Sequence, residues 1–180
     1  MIKFIDQFIK KISIRKLQQL QGKEKREKQF MNLKDVRNVL LLFYVDSFEK
    51  YDRIYGIINF LKKEGMNVFS VLYVEKGVVC EQKRINMLAF TKKECSLFFE
   101  PTVTLVDDIQ SLETDLLIDL SLVDCLPLEF LAQQSVAKCK VSRKKESVSV
   151  CDLMIETNQN ETSEEQLLET ILFYLNHIKS

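Results

Sequence analysis

Acidic residues at the ends of short apolar runs are the side chains best placed to do chemistry in this sequence. Asp119 closes the run 115–119 (DLLID), Glu156 closes 152–156 (DLMIE), and Asp46 follows the run 39–45 (VLLLFYV). Runs of this kind predict strands that are buried on both faces of a sheet. In open α/β sheets, ligands bind beyond the carboxyl ends of the strands. Carboxylates at these ends could therefore hold Mg²⁺ or a polyol.

The candidate ligand-binding residues are Asp46, Ser47, Asp119 and Ser121. In a second interpretation, the same side chains cap helices and keep the strand ends soluble. Because capping residues are expected at such positions, this second interpretation is favoured. If a site exists, we expect Asp119 and Ser121 to form it.

Several kinds of site are excluded by motifs that the sequence lacks. It contains no G-x-x-x-x-G-K-[ST], no G-x-G-x-x-G after the first strand and no G-x-S-x-G. The lone histidine, His177, lies near the end of the chain, and the five cysteines show no C-x-x-C spacing, so no zinc site is predicted. We predict no cofactor, no metal and no catalytic residue, and we expect reduced cysteines in an intracellular protein. Cys125 could be a reactive thiol at a helix start, but nothing supplies a base.

The predicted elements alternate between strand and helix. The spacing of apolar residues predicts strands at 38–45, 67–74, 115–119, 137–141 and 151–155. It predicts helices at 48–63, from Pro127 to Ser135, and from Thr162 or Ser163 onward. Between them, Met87–Phe90 and Ser96–Phe99 are predicted as short strands. This order predicts an α/β fold with a three-layer, mostly parallel, Rossmann-like sheet.

The N-terminal segment is predicted to be a basic amphipathic helix over residues 2–29, and its charged last part, 21–29, is either a solvated helix end or a linker. Residues 1–30 carry nine Lys or Arg and three acids, so the remainder of this neutral chain carries about −6. We predict a leader helix at 1–31 and one α/β domain at 32–180. The face of the leader helix that Phe4, Phe8 and Ile12 form is suited to contact with an anionic membrane surface. The alternative is that this face packs on the domain, on a protein partner or on a second copy, and this interpretation is favoured because amphipathic helices usually pack.

The basic stretch Arg143–Lys145 is predicted as part of a polar loop. It could bind phosphate, although a solvated loop is the favoured interpretation. Nucleic acid is not an expected partner, because no aromatic and basic platform accompanies the charge.

Four segments resemble a family of short bacterial proteins known as a domain of unknown function. They are Asp115–Ser121, Pro127–Leu131, Ala137–Val141 and Asp152–Glu156. The segment Phe90–Glu94 and the basic leader helix resemble the same family. The resemblance implies a fold and no site residues. Residues 115–145 also faintly resemble the N-terminal half of ADP-heptose-type glycosyltransferases, but a second nucleotide-binding domain is missing.

These observations predict a function class and no reaction. No stretch has the roughly 20 apolar residues of a membrane span, and Asp6, Lys10 and Lys11 interrupt any secretory signal. We expect a non-enzymatic cytoplasmic binding protein, with attachment to the inner membrane face as one form of it. The alternative is an enzyme or degenerate enzyme that binds a phosphorylated or sugar-nucleotide ligand at the carboxyl ends of the strands.

Overall fold

Strands and α-helices alternate over much of the chain in the computed structural model. The structure describes residues 2–24, 26–78, 83–84, 86–146, 148, 150–157 and 162–178. In this part of the chain the strands are β1 (Asn38–Val45), β2 (Asn67–Val74), β3 (Lys83–Arg84), β4 (Met87–Phe90), β5 (Leu116–Asp119), β6 (Cys139–Arg143) and β7 (Leu153–Ile155). The α-helices are α1 (Ile2–Gln21), α2 (Glu49–Lys63), α3 (Val103–Gln110), α4 (Leu126–Gln134) and α5 (Glu164–His177). The alternation is broken where β2, β3 and β4 follow one another, and again where β7 follows β6.

One sheet contains all the described strands, in the order β3-β4-β2-β1-β5-β6-β7. Only the two-residue edge strand β3 is antiparallel to its neighbour among the described strands. The chain builds outward from β1 through β2 and β4, and then returns to the other side of β1 with β5. The strand order therefore reverses between β1 and β5, which is where open α/β sheets bind ligands.

Helices cover both faces of the sheet, so the fold has the predicted three layers. Leu41 and Phe43 of β1 belong to the apolar core that includes α2 and α5. Leu40 and Leu42 alternate with them and belong to the core that includes α1, α3 and α4. This burial on both faces is the reason why the strands appear in the sequence as continuous apolar runs. The predicted α/β class and its N-terminal helix are confirmed.

Some predicted element boundaries differ from those in the structure. The N-terminal helix ends at Gln21 instead of residue 29, and beyond it Glu24 and Arg26 pair with side chains of the domain. The strand predicted at 137–141 is found at Cys139–Arg143, and this shift places Arg143 in the sheet instead of in a loop.

The connection after β4 also differs from the prediction. The predicted strand Ser96–Phe99 is a turn in which Phe99 adopts a positive φ of 64°. Helix α3 was not predicted; it follows Pro101 and buries Leu105, Val106 and Ile109. It is only eight residues long, shorter than the window in which helical periodicity is recognisable.

One of the two predicted starting residues of the last helix, Ser163, caps α5, whereas neither Asp46 nor Ser47 caps α2. Ser163 accepts a hydrogen bond from the backbone N–H of Gln166, and the Gln166 side chain accepts one in return, which forms a capping box. For α2, the cap position is occupied by Phe48 without a side-chain hydrogen bond. Asp46 instead pairs with Lys50 one helical turn later, at 3.2 Å. The predicted first-turn proline of α4, Pro127, is present.

A buried ion-pair cluster joins the segment after α1 to the sheet. Arg26 Nε lies 2.7 Å from Glu24 Oε1, and Arg26 Nη2 lies 2.5 Å from Asp152 Oδ1. The fully buried Nζ of Lys140, on β6, donates to Glu24 Oε1 at 2.7 Å and to the carbonyl of Gln133 at 3.1 Å. These contacts fix the leader segment against the domain. The division into a leader (1–31) and a domain (32–180) stays a prediction.

The Glu24 carboxylate should make stability depend on pH. Burial raises its pKa, but Lys140, Arg26 and Lys28 outweigh burial and lower the pKa to about 2, against an ordinary value of 4.5. The stabilisation that Glu24 contributes to the folded chain is therefore complete above pH 4.5 and is lost as the pH falls towards 2. Glu24→Gln should cost about 2–3 kcal/mol of unfolding free energy near pH 6, with the deficit narrowing in acid.

Urea unfolding of wild type and Glu24→Gln at several pH values between 6 and 3 would measure this deficit. Glu27→Gln, at an exposed neighbouring position, is the control and should behave like wild type throughout. A deficit that stays constant over the whole pH range would contradict the role assigned to Glu24.

Candidate functional site

The two central strands end with the same three-residue pattern of tyrosine, valine and acid. Tyr44-Val45-Asp46 ends β1 and Tyr73-Val74-Glu75 ends β2. The register pairs Tyr44 with Tyr73, and their rings stack with centroids 6.1 Å apart and planes 17° apart. Phe90 of β4 pairs with Tyr73 and meets it edge-on at 5.3 Å. Three aromatic rings therefore form a row across the carboxyl ends of three strands, which we call the aromatic row.

A cleft of about 430 Å³ lies beside the aromatic row. It is near the point between β1 and β5 where the strand order reverses. Its lining consists of Tyr44, Tyr73 and Glu75 from the strand ends, Asp6, Ile9 and Lys10 from α1, Lys92, Leu97 and Phe99 from the connection after β4, and Asp124–Pro127 at the start of α4. We call this feature the switch-point cleft.

Both tyrosines of the cleft are neutral phenols. Burial and the carboxylate of Glu75 raise the pKa of Tyr44, whose hydroxyl donates to Glu75 Oε2 at 2.6 Å. Burial raises the pKa of Tyr73 to about 12. The Lys92 ammonium lies 4.8 Å from the centroid of the Phe99 ring. The cleft thus combines aromatic rings, hydroxyl donors, carboxylates and ammonium groups, which are the groups that orient a small polar ligand.

A cluster of buried charged side chains lies next to the cleft, close to Cys125. It consists of Asp119, Ser121, Glu129 and Lys145, all of whose side chains are almost completely buried. Lys145 Nζ donates to Asp119 Oδ2 and to Ser121 Oγ, the latter at 3.2 Å, and lies 3.9 Å from Glu129 Oε1. The backbone N–H and the hydroxyl of Ser121 both donate to Asp119 Oδ1. The carboxylate of Asp119 therefore receives hydrogen bonds on both oxygens.

Arg143 connects this charged cluster to the edge of the cleft. Its Nε donates to the carbonyl of Ser121 at 3.1 Å, and its Nη2 lies 2.5 Å from Asp124 Oδ1. The other oxygen of Asp124 accepts from the backbone N–H of Glu146 at 3.2 Å. Asp124 is thereby held in place at the edge of the cleft.

The charged cluster keeps Lys145 ionised and does not activate a nucleophile. Burial opposes the charge on Lys145, but Asp119 and Glu129 outweigh it and raise the pKa of the lysine. Lys145 therefore remains an ammonium and cannot take a proton from Ser121, which itself donates to Asp119. Burial raises the pKa of the Cys125 thiol, which opposes the thiolate that nucleophilic chemistry would require. Within the described residues, no three His, Cys, Asp or Glu side chains are grouped so as to hold a metal ion.

The structure places the four predicted ligand-binding residues in two pairs. Asp119 and Ser121 contact one another within the charged cluster. Asp46 is exposed at the turn before α2 and pairs with Lys50, and Ser47 is half-buried beside it. Asp46 lies one residue beyond the strand end that supplies Tyr44 to the cleft. A ligand-binding role for these four residues stays a prediction.

The favoured interpretation of Arg143–Lys145 as a solvated loop was wrong for two of its three residues. Arg143 and Lys145 are buried and paired with acids, and only Lys144 is exposed, in a surface pair with Glu156 at 3.2 Å. The reason is geometric: alternate residues at the end of β6 turn inward, where buried carboxylates compensate their charge.

Sequence reasoning also missed Tyr44, Tyr73 and Glu129. For the tyrosines a signal existed, because the pattern of tyrosine, valine and acid occurs at the ends of two predicted adjacent strands. Glu129 had none. It is fully buried because α4 is covered on nearly all sides, which is a property of the tertiary packing.

Helix α1 has one face against the domain and another in solvent. Ser13 and Leu17 are fully buried where α1 packs on α4. On the far side, Phe8 is 61% exposed and Ile5 is 53% exposed. Of the predicted partner face, Ile12 is half-buried and the side chain of Phe4 lies outside the described residues. None of the described helices combines the length and apolarity that crossing a bilayer requires.

Residues 6–178 match a family model described as "Family of unknown function (DUF6913)". The chain belongs to the DUF6913 family. This membership confirms the predicted kinship with a domain of unknown function, whereas bacterial origin and the likeness to glycosyltransferases stay predictions. No curated protein and no solved structure matches the chain.

Proposed function

We propose that this DUF6913 protein is a non-enzymatic binding protein that attaches to an anionic membrane surface through the exposed face of α1. The observation that carries the proposal is the exposure of Phe8 and Ile5 on a helix whose opposite face is buried. The exposed basic residues Lys11 and Arg15 stand on the same outer side at helical spacing. Apolar residues flanked by cations are the pattern of helices that lie in a membrane interface.

The distribution of charge along the chain favours an anionic membrane, rather than a partner with a neutral surface, as the binding partner of α1. Residues 1–30 carry about +6, and the rest of the chain carries about −6. Each Lys or Arg near an anionic leaflet contributes about 1 kcal/mol of attraction. The acidic remainder would be repelled by the same surface, so the protein would bind with α1 facing the lipid. In this proposal the protein is cytoplasmic and sits at the inner face of the membrane.

Liposome flotation with phosphatidylcholine vesicles containing phosphatidylglycerol tests the proposal. The full chain should float, and Phe8→Glu should reduce the floating fraction at least about fivefold, because it places a charge where the apolar contact is needed. Phe173→Glu is the matched control: Phe173 is also 61% exposed, but it lies on α5, on the opposite face of the sheet. It should float like wild type.

Two results would overturn the membrane proposal. One is equal flotation of Phe8→Glu and wild type. The other is a failure of wild type to float even at low salt, where electrostatic attraction is least screened. If Phe8→Glu instead converts a dimer into a monomer without changing flotation, the exposed face is a contact between copies and the membrane proposal is wrong.

A second candidate function is binding of a phosphorylated or sugar-nucleotide ligand at the carboxyl ends of the strands, by an enzyme or a degenerate enzyme. The switch-point cleft favours it, because the cleft lies at the position where open α/β sheets bind ligands. The two functions are separable. A ligand site in the cleft should survive Phe8→Glu, since the side chain of Phe8 is exposed on the outer side of α1.

A further inference from the structure

We infer that the turn at residues 96–99 is a second lipid-contacting element, which inserts Leu97 into the same anionic leaflet as the outer face of α1. This inference rests on the proposed membrane attachment and adds a second contact to it. Leu97 is 64% exposed, about as much as Phe8 at 61%. Because single exposed apolar side chains are common on protein surfaces, the surroundings of Leu97 decide its role.

The turn lies beside the exposed apolar surface of α1. Lys16 of α1 pairs at 3.0 Å with Glu100, the residue that follows the turn. At about 100° per residue, Ile5 and Ile12 lie within about 40° of Lys16 around the helix axis, so their side of α1 is the side that borders the turn. Ile5 is 53% exposed and Ile12 is half-buried. The turn also shares the lining of the switch-point cleft with Ile9 of α1. The apolar surface of α1 therefore continues onto the turn.

Hydrogen bonds within the turn fix its shape. The hydroxyl of Ser96 accepts hydrogen bonds from the backbone N–H groups of Phe98 at 3.1 Å and Glu100 at 3.3 Å. The backbone N–H of Ser96 donates to the carbonyl of Glu100 at 2.8 Å, and Cys95 forms an antiparallel bridge with Pro101 at the base of the turn. Little ordering of the turn is therefore required when it binds, which favours the contact.

The conformation of the turn separates its leucine from its two aromatic rings. Phe99 has a φ of 64°, a backbone region that a bulky residue adopts only at a cost in free energy. Its ring lies 4.8 Å from the ammonium of Lys92, and the ring of Phe98 lies 4.5 Å from that of Lys16. Both phenylalanines are half-buried, whereas Leu97 is exposed. The two rings thus hold the turn against its neighbours, and the leucine is the residue left for an external contact.

The charges around the turn are compatible with an anionic leaflet. Lys92 and Lys93 are exposed, Glu100 is neutralised by Lys16, and Glu94 accepts a hydrogen bond within its own capping box. These three lysines and two glutamates leave a net charge of +1. An apolar tip flanked by cations is the pattern of segments that enter a membrane interface. Lipid, unlike a groove of fixed shape, can receive the apolar residues of the turn and of α1 at once.

Liposome flotation of Leu97→Glu with vesicles containing phosphatidylglycerol tests the turn separately from α1. The floating fraction should fall at least about threefold, because a carboxylate replaces the side chain that enters the lipid. Phe60→Glu is the control: Phe60 is 46% exposed on α2, at the opposite face of the sheet, and this variant should float like wild type. In Leu97→Trp, the single indole of a chain without other tryptophans should emit at shorter wavelength when these vesicles are added.

The outcomes separate failure of the inference from failure of the membrane proposal. If Leu97→Glu floats like wild type while Phe8→Glu does not, the inference is overturned and the membrane proposal stands. If wild type does not float at low salt, both fail. If the emission of Leu97→Trp is unchanged while the protein floats with the vesicles, the turn stays in water and the inference is overturned. If Leu97→Glu converts a dimer into a monomer without changing flotation, the turn is a contact between copies, which also overturns the inference.

Discussion

Replacing Lys145 with methionine should destabilise the folded chain by about 3–5 kcal/mol, because it leaves buried carboxylates without their cation. The lysine side chain is only 3% exposed, and it donates to the fully buried carboxylate of Asp119. Glu129, also fully buried, lies within 3.9 Å of the same ammonium. In the variant, the buried carboxylate of Asp119 loses the ammonium that donates to it. A loss of this size is a large part of the roughly 5–15 kcal/mol that stabilises a typical domain.

The neighbouring residue supplies a control of the same type. Lys144 is 62% exposed and pairs with Glu156 at the surface, so Lys144→Met should cost no more than about 1 kcal/mol. Urea unfolding followed by circular dichroism at neutral pH would measure both changes. Adding Asp119→Asn to Lys145→Met should cost less than the sum of the two single changes, because the pair is then removed together. Equal stability of the Lys145 and Lys144 variants would contradict the role assigned to the charged cluster.

Leu17→Ala should lower the unfolding free energy by about 2–5 kcal/mol, which would show that α1 is held by the domain core. Leu17 has no exposed surface and belongs to the apolar core that contains Leu128 and Phe130 of α4. Truncation removes this packing and opens a cavity between the helices. Gln18→Ala, one residue further along on the exposed side, should change stability by less than about 0.5 kcal/mol.

The same unfolding experiment tests whether α1 is a separate unit. If Leu17→Ala unfolds at the same urea concentration as wild type, α1 contributes nothing to the domain and does not stay packed on α4. A cooperative shift of the whole transition would instead show that α1 and the sheet unfold together.

The central part of the fold was predictable because each inner strand is buried on both faces. Residues such as Leu40 and Leu41 must both be apolar in such a strand, so β1 and β5 appear as continuous apolar runs in the sequence, and β2 as a run that only Ser70 interrupts. The weaker predictions concern short or edge elements. Helix α3 has eight residues and β7 has three, and neither length carries a distinct period.

The candidate site was less predictable, because its geometry depends on contacts between distant parts of the chain. The position of Asp119 and Ser121 at a strand end could be predicted from one run of residues. The pairing of Asp119 with Lys145 joins residues 26 positions apart, and no local pattern marks it. The exposure of Phe8 depends on which side of α1 packs on α4. The contact uses Ser13 and Leu17, and Ser13 has no place in an apolar stripe.

A fluorescent reporter in place of Phe8 tests the central claim most directly. The chain contains no tryptophan, so Phe8→Trp and Phe173→Trp each introduce a single indole at equally exposed positions of α1 and α5. With vesicles containing phosphatidylglycerol, the emission of the Phe8→Trp variant should move to shorter wavelength and resist quenching by iodide, while that of the Phe173→Trp variant should stay unchanged. If the indole on α1 stays in water while the protein floats with the vesicles, or if both indoles respond alike, the outer face of α1 is not the membrane-binding surface.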